Sequence, residues 1–330
     1  MQKPRKLTIV STCTNKKRGS VTDNLHLGTF AGRFYRDSAK VWVASLSTNQ
    51  VGVPARELYV GSHWQESVAC ENSAKDLGIE TDLWVLSAGY GLISSTETAT
   101  PYAASFSAGS DSIQNLNWPA AFSPSQKSRE WWKLVHKYRN REGLARFAPL
   151  SEKRTSLLII LSPEYYNAVE SEIIDLISAD VNVLIVSAGL YRNLNSASPV
   201  VRPHILPFSD SFKQVDDYLN KTNVSLNARL ATWLVRNHSE AVLSGVEAVK
   251  PILENIFNQL PPMQRKDVNR MSDGEVLAFI ARDYSEEFNS ATKLLRRLRD
   301  TEQMSCEQKR FGALFRKHQQ SIQSDLFDHE

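Results

Sequence analysis

Two short segments of the chain combine small residues with a tyrosine, and each one follows an apolar run. Ser87-Ala88-Gly89-Tyr90-Gly91 comes after residues 83–86, and Ser187-Ala188-Gly189-Leu190-Tyr191 comes after residues 183–186. Serine hydroxyls can bind a polar ligand, small residues let the backbone approach it closely, and a tyrosine ring can stack on a flat ring. Ser-Ala-Gly is also a common way to leave a strand, but two copies in matching contexts favour a shared site.

The apolar runs that precede these segments are typical of buried strands in a parallel sheet. Similar runs occupy residues 7–10 and 157–161, and helix-forming stretches separate the runs. A strand–helix–strand order predicts right-handed crossovers and parallel strands, and ligands of open α/β sheets bind outside the carboxyl ends of the strands. The sequence therefore predicts an α/β fold with a mostly parallel sheet flanked by helices, and a binding site at one edge of that sheet.

Polar residues also follow the other two apolar runs. The sequence after residues 7–10 is Ser11-Thr12-Cys13-Thr14-Asn15-Lys16-Lys17-Arg18, and Ser162-Pro163-Glu164-Tyr165 follows residues 157–161. The basic turn predicts either a docking place for an anion or polar ring, or an ordinary solvated turn. Ser162 is predicted to cap a helix. The residues expected to bind a flat polar ligand at the strand ends are Ser11, Lys16, Ser87, Tyr90, Gly91, Tyr102, Ser162, Tyr165, Ser187 and Tyr191.

Length and composition restrict the class of protein. The chain has 330 residues, of which 42% are hydrophobic, and its formal net charge is +3. The three cysteines lack metal-ligand spacing and do not suggest a disulfide framework, so we expect reduced thiols in a cytoplasmic protein with no metal or other cofactor. The amino-terminal apolar run is too short for a signal peptide, and no run reaches the length of a membrane span.

The Pro261-Pro262 pair marks a predicted domain boundary. Residues 1–260 are expected to form the α/β domain, in two halves of about 1–150 and 151–260, and a single helix is expected at about residues 53–77. Residues 105–125 are expected to form a long loop, either a functional lid or disordered. Residues 261–330 are expected to form a small helical domain that resembles nucleic-acid-binding modules such as a helix-turn-helix. Its basic residues are expected either to bind nucleic acid or to form a solvated face. Those basic residues are Arg296, Arg297, Lys309 and Arg310.

Three motifs resemble a family of uncharacterised bacterial and phage domains. They are Thr12-Cys13-Thr14-Asn15-Lys16, Pro54-Ala55-Arg56-Glu57-Leu58-Tyr59, and Leu86-Ser87-Ala88-Gly89-Tyr90-Gly91-Leu92 followed by Pro101-Tyr102. Some members lie near genes for deazapurine modification of DNA or tRNA. The resemblance covers about residues 6–106. This chain has Ala103 where the family has an aspartate, which leaves the role of that carboxylate unassigned.

The architecture also looks distantly similar to uracil-DNA-glycosylase-like folds, and with its basic tail it is similar to anti-phage glycosylases that remove glucosylated hydroxymethylcytosine from phage DNA. The resemblance implies a DNA glycosylase that excises a modified base in anti-phage defence, with modified DNA as its partner. The open alternatives are a nucleotide- or deazapurine-processing transferase or hydrolase, and a non-catalytic sensor of modified DNA.

Base excision sets requirements on the residues at this site. Breaking an N-glycosidic bond places positive charge on the sugar. A nearby carboxylate can stabilise that charge or activate a water molecule. The candidate catalytic residues are Asn15, which could read a base edge or position water, and the carboxylates Asp23 and Glu97; Glu164 fits better as an acid in a first helical turn. Lys16, Lys17 and Arg18 are expected to meet phosphates.

Overall fold

A computed structural model describes residues 6–48, 52–152, 155–261, 271–302, 304 and 306–327, with the backbone alone at 152, 309 and 321–327. The chain forms two compact units, Met1–Pro262 and Met263–Glu330.

The first unit is built on a five-stranded sheet in the order β4-β3-β1-β6-β7, with a separate β2-β5 pair. The strands are β1 (Lys6–Thr12), β2 (Val53–Pro54), β3 (Glu80–Ser87), β4 (Gly91–Ser94), β5 (Thr98–Ala99), β6 (Thr155–Ile160) and β7 (Asn182–Val186). β4 is antiparallel to β3, and the other neighbours in the large sheet run parallel. The expected α/β fold with a mostly parallel sheet is confirmed.

Helices cover the sheet and connect its strands. They are α1 (Tyr35–Thr48), α2 (Ala55–Leu58), α3 (Ser62–Asp76), α4 (Pro124–Arg139), α5 (Pro163–Ser178), α6 (Ala188–Arg192), α7 (Leu226–Ser244) and α8 (Val246–Gln259). β1 is central, and its residues 7–12 are buried because the sheet is covered on both faces. The chain goes from β1 to β3 on one side and later to β6 on the other. The carboxyl ends of β1 and β6 therefore flank the topological switch point, where open α/β sheets bind ligands.

The prediction of a single helix at residues 53–77 is wrong. Val53–Pro54 is a strand, and a break at residues 59–61 separates α2 from α3. Tyr59 is extended because the break pairs with the turn after β1: Arg18 N donates to Leu58 O at 2.8 Å, and Val60 N donates to Lys16 O at 3.1 Å. Gly61 is needed here because a Cβ would lie 2.7 Å from the side chain of Thr14. The break thus holds the turn in place.

The segment after β3 turns back on itself. Gly91 adopts φ +72° and begins β4, and a Cβ on it would lie 2.6 Å from the His136 ring. The first Ser-Ala-Gly end is therefore a tight turn between antiparallel strands, packed under α4.

Residues 105–123 are irregular apart from the 3-10 turn Ile113–Asn115, as expected for a long loop. They pack closely on the rest of the unit: Trp118 is 8% exposed, and its ring stacks on Tyr35 with centroids 4.2 Å apart. The buried Trp118 anchors the middle of this segment to the rest of the unit, whereas residues 107–110 and 119–121 are exposed.

The second unit is a three-helix cluster of α9 (Asp273–Asp283), α10 (Ala291–Thr301) and α11 (Gln308–Phe327). Ser272 and Glu275 form a reciprocal capping box at the start of α9. Leu294, Leu295 and Leu298 of α10 are buried against the other helices. The connections at residues 284–290 and 302–307 are longer than the three- or four-residue turn of a helix-turn-helix motif.

None of the helices in the described part of the chain combines the length and the apolar character that a membrane span requires.

Candidate functional site

A cavity of about 840 Å³ opens at the switch point of the sheet. The turn after β1 forms its floor with residues 12–16, and the amino-terminal end of α3 forms one side with residues 60–63 and 65. The opposite side consists of Ser162 and Tyr165 at the start of α5. Ser105, Ser107, Val224 and Asn227 complete the rim. This volume lies within the range of pockets that bind small molecules.

Cys13 anchors the floor of the cavity. Its backbone N donates to Leu86 O at 2.9 Å, which extends the β1–β3 pairing past the end of the strand. Its sulfur is 2.9 Å from the Tyr165 hydroxyl and accepts a hydrogen bond from the Tyr102 hydroxyl at 3.4 Å. The Tyr102 hydroxyl also lies 2.6 Å from Ser87 Oγ and 3.1 Å from the Tyr59 hydroxyl. A connected set of hydroxyls therefore supports the thiol from behind.

Lys17 turns inward on this set of phenols. Its Nζ lies 4.1 Å from the centroid of the Tyr102 ring and donates to Thr14 O at 3.2 Å. Burial lowers the pKa of Lys17, since a charged amine is poorly solvated there. Burial likewise raises the pKa of Tyr102 and of Tyr165 well above the usual value, which keeps both phenols protonated as hydrogen-bond donors.

His63 lies beside the floor on the first turn of α3. Its Nε2 is 3.1 Å from both Ser11 Oγ and Thr12 Oγ1, and Ser11 Oγ is 2.7 Å from Ser67 Oγ. Burial lowers the pKa of His63 to about 4, so the ring is neutral at pH 7. A neutral imidazole can both donate and accept hydrogen bonds, which suits it to holding the strand end and to contacting a polar ligand.

The cavity is polar and favours negative charge. Among the described residues that line it, Lys16 carries a charge and none is a carboxylate. The amino-terminal ends of α3 and α5 both contribute to the lining, and a helix amino terminus carries partial positive charge. Three amides, Asn15, Gln65 and Asn227, supply both donors and acceptors.

The structure gathers four of the predicted ligand-binding or catalytic residues around this cavity. Asn15 and Lys16 are exposed on the turn after β1, and Ser162 and Tyr165 face them from the start of α5.

Four further predicted residues lie one layer behind the lining. Ser11 contacts His63, while Ser87 and Tyr102 support Cys13 through the hydroxyl set. Lys17 packs on Tyr102, so its amine points into the protein and away from the exposed surface on which a phosphate contact was expected.

The predicted residues on the β3–β4 turn do not line this cavity. Tyr90 is 5% exposed and its hydroxyl accepts from Thr100 N at 2.9 Å, which leaves its ring packed in the core. The His136 ring fills the space beside Gly91. Glu97 lies on the β4–β5 connection and pairs with Arg139 at 2.9 Å and Arg141 at 3.1 Å. Glu97 is therefore paired with two guanidinium groups and lies outside the lining of this cavity.

The remaining predicted residues of this unit also lie off the cavity lining. Asp23 is exposed in the 3-10 turn Asp23–Leu25. Ser187 caps α6, and Tyr191 packs its ring on Phe257 with centroids 5.9 Å apart. Arg18 is exposed, 3.6 Å from the Glu57 carboxylate. The second Ser-Ala-Gly end therefore contacts the site indirectly, because Ala188 N donates to Asn227 Oδ1 at 3.1 Å.

The predicted nucleic-acid-binding residues of the second unit differ in their partners. Arg296 is exposed on α10, whereas Arg297 lies 3.3 Å from Asp283 and Arg310 lies 2.5 Å from Asp273. Lys309 falls within α11, but its side chain is outside the described part of the chain. Part of the basic charge is thus neutralised within the unit.

The cavity lining also includes residues that were not predicted from the sequence, among them Cys13, His63, Gln65 and Asn227. Cys13 lies between Ser11 and Asn15, two predicted site residues after the first strand, so its position in the sequence already indicates a place at the site. His63, Gln65 and Asn227 come from the starts of helices after irregular connections, and only the tertiary arrangement brings them to the strand ends.

The part of the chain that the structure describes contains no group of three or more His, Cys, Asp or Glu side chains arranged to hold a metal ion. Comparison with known proteins gives no match to a family model, a curated protein or a solved structure.

Proposed function

We propose that this protein is a DNA glycosylase, related in fold to uracil-DNA glycosylases, that excises a modified base from phage DNA. The observation that carries the proposal is the cavity at the β1–β6 switch point, with amides and hydroxyls in its lining, the exposed Lys16 on its lining and the exposed Arg18 two residues further along the chain. A flipped base needs a polar pocket of this kind, and the adjoining phosphates need basic residues outside it.

The electrostatics of the cavity suit the departing base. As the N-glycosidic bond breaks, the electron pair stays with the base, which gains negative charge. Hydrogen-bond donors and positive dipole ends that are already in place stabilise such charge without reorganising. Asn15, Gln65 and Asn227 provide donors, and the starts of α3 and α5 provide the dipoles. The volume also leaves room for a base that carries a substituent, such as glucosylated hydroxymethylcytosine.

A sensor of modified DNA is a second candidate. The described lining has no carboxylate, and glycoside cleavage usually employs one. In a sensor, the same cavity would hold the modified base and the bond to the sugar would remain intact.

Abasic-site formation separates the two candidates. Duplexes containing uracil, methylated, hydroxymethylated or glucosylated bases would be incubated with the full chain and then treated with alkali. Strand breaks in one of these duplexes are expected. Tight binding with intact strands would favour the sensor, and neither binding nor breaks would reject both proposals.

Two variants test where the activity resides. Asn15→Ala removes a lining amide and is expected to reduce cutting by about 100-fold. Glu97→Gln breaks the pairs with Arg139 and Arg141 outside the lining; it should keep full activity and lose about 1 kcal/mol of stability. The reverse result would move the site to the β4–β5 connection, where Glu97 lies.

A further inference from the structure

The hydrogen positions around His63 follow from the contacts of its neighbours. Ser67 Oγ donates to the carbonyl oxygen of His63 at 3.0 Å, which uses the one hydrogen of that hydroxyl. Ser11 Oγ lies 2.7 Å from Ser67 Oγ and is therefore the donor in that pair. Because the hydrogen of Ser11 is then used as well, its oxygen accepts from Nε2 of His63 at 3.1 Å. Nε2 therefore carries a hydrogen.

The other contacts of the ring agree with this assignment. Thr12 Oγ1 also lies 3.1 Å from Nε2, and one N–H can be shared between two oxygens, whereas a lone pair accepts a single hydrogen. Among the described residues no carboxylate pairs with the ring, and burial lowers the pKa of His63 to about 4. The ring is therefore neutral at pH 7, and a neutral ring with a hydrogen on Nε2 has a lone pair on Nδ1.

Nδ1 of His63 is left without a partner in the described chain, where both hydrogen bonds of the ring are made by Nε2. The fully buried side-chain atoms that lack a partner there are the Nε atoms of Arg129 and Arg229. Nδ1 is not one of them, so it is accessible, and the cavity that His63 lines is the space it faces. Because His63 is only 8% exposed and Nε2 holds the ring, this lone pair is a fixed acceptor.

A fixed acceptor selects a ligand more strictly than the other polar groups of the lining. Asn15 and Gln65 are exposed, and an amide can turn to present either its donor or its acceptor. The ring of His63 cannot adapt in this way. A carbonyl oxygen placed against Nδ1 would oppose two lone pairs, whereas an N–H would form a hydrogen bond.

An exocyclic amino group suits this acceptor best among the donors of a nucleobase. It projects from the edge of the ring and can therefore reach a nitrogen that lies back in the wall of the cavity. The N3–H of uracil or thymine lies between two carbonyl oxygens, and both would approach the same lone pair.

We propose that Nδ1 of His63 selects the base, and that the substrate carries an exocyclic amino group, as bases derived from cytosine do, in place of the carbonyl group of uracil or thymine. This inference rests on the glycosylase function proposed above and names the class of base. Ser11, Thr12 and Ser67 are positioning residues, because they act through the ring.

The hydrogen on His63 can be located without any substrate. Long-range proton–nitrogen NMR spectra of the full chain, with nitrogen-15 in its histidines, distinguish protonated from unprotonated ring nitrogens. At pH 7 we expect the hydrogen of His63 on Nε2. His136 is the opposite reference, because its Nε2 accepts from Leu92 N and its Nδ1 donates to Trp132 O. The variants His63→Gln and His136→Gln identify the two sets of signals. A hydrogen on Nδ1 of His63 would overturn the inference.

Paired substrates test the selectivity of the unmodified protein. Thymine is compared with 5-methylcytosine, and 5-hydroxymethyluracil with 5-hydroxymethylcytosine, the latter two with and without glucose. Each base is placed opposite a stable abasic-site analogue, so that the strength of pairing does not differ. Sites that hydrogen-bond an N–H strongly reject analogues without it, so we expect cutting, or binding where no strand is cut, to favour the amino-bearing member by at least about 100-fold.

His63→Gln separates the acceptor from the support of the strand end. The glutamine amide can still donate to Ser11 and Thr12, but it places no acceptor where Nδ1 lies. The preference should therefore fall by at least about 10-fold. His136→Gln is the matched control, because His136 is 6% exposed, equally neutral, and bonded at both nitrogens; it should keep the preference.

The possible failures differ in what they reject. Cutting or binding without a preference for the amino-bearing bases would overturn the role of His63 and leave the glycosylase function standing; this comparison uses the unmodified protein and does not depend on the folding of a variant. An equal loss of preference in His63→Gln and His136→Gln would overturn the role as well. Absence of both cutting and binding on every substrate would reject the glycosylase function, and this inference with it.

Discussion

The hydroxyl of Tyr165 lies 2.9 Å from the sulfur of Cys13, and this contact joins the turn after β1 to the start of α5 across the switch point of the sheet. The two residues are 152 positions apart in the sequence. The contact fixes a thiol at the floor of the cavity. It also connects the carboxyl ends of β1 and β6, and a ligand of this cavity would bind between those two ends.

Removing this hydrogen bond should make the thiol less reactive. Tyr165→Phe keeps the ring in its contact with Phe106 but withdraws a donor from the sulfur. Iodoacetamide reacts with thiolates, and a hydrogen-bond donor stabilises a thiolate, so the rate of alkylation of Cys13 at pH 7 should fall about threefold.

The next tyrosine along the same helix provides the control. Tyr166→Phe removes a hydrogen bond to Glu170, at 2.8 Å, and leaves the lining of the cavity unchanged. It should alter stability alone, with alkylation at the normal rate. Equal rates for both variants would mean that the Tyr165 hydroxyl does not influence the thiol.

Gly91 should tolerate substitution much less well than a glycine of matching conformation. Gly91 and Gly78 adopt φ +72° and +73°, but a Cβ at Gly78 meets nothing within 4 Å, whereas one at Gly91 would lie 2.6 Å from the His136 ring. Gly78→Ala should cost about 1 kcal/mol of left-handed strain, and Gly91→Ala about 3 kcal/mol.

Urea unfolding of the two alanine variants would measure this difference. Equal losses would show that the His136 ring moves away freely, and that backbone conformation alone accounts for the glycine in the Tyr90-Gly91 turn.

The sequence predicted these strands well because a buried strand has a local signal, a short run of apolar residues. The runs at residues 7–10, 83–86, 157–161 and 183–186 all lie within strands or end one residue beyond them, and the boundary at Pro261-Pro262 lies at the division between the two units. The helix expected at residues 53–77 failed because long-range pairing of residues 58–60 with the turn after β1 overrode local preference.

The site was predicted only in part, and for a related reason. Strand order decides which strand ends meet, and the spacing of apolar runs does not reveal that order. The repeated Ser-Ala-Gly motif predicted a site at the ends of β3 and β7, whereas the cavity lies between the ends of β1 and β6. Tyr90 and Tyr191 accordingly pack in the protein, while Asn15 and Tyr165 line the cavity.

Two buried histidines should make the first unit less stable in mild acid. Burial lowers the pKa of both His63 and His136 to about 4, from 6.5 in an unfolded chain. The unfolded state therefore binds more protons between these values, and the stability that the neutral rings contribute is complete above pH 6.5 and is lost as pH falls toward 4. Each ring should account for about 2 kcal/mol of the loss between pH 7.5 and 5.

Urea unfolding of His136→Gln would test this dependence. Leu92 N donates to Nε2 of His136 at 2.9 Å, and the ring donates from Nδ1 to Trp132 O at 2.8 Å. The variant should be less stable at pH 7.5 but should lose less stability on acidification. An unchanged loss between pH 7.5 and 5 would exclude His136 as one of the responsible groups.

The three-helix unit should bind DNA through its exposed basic residues more than through its paired ones. Arg296 is exposed on α10, whereas Arg310 lies 2.5 Å from the carboxylate of Asp273 and is already neutralised.

Each phosphate contact that is lost lowers the dependence of log K on log salt by about 1. Arg296→Ala should therefore weaken retention on DNA and reduce this slope by about 1, at equal stability of the unit. Arg310→Ala should instead lower the stability of the unit slightly, because it removes an exposed ion pair, and leave the slope nearly unchanged. Fluorescence anisotropy with a labelled duplex, between 50 and about 200 mM salt, measures both slopes. Identical slopes for the unmodified protein, Arg296→Ala and a chain that ends before residue 265 would show that this unit makes no phosphate contacts.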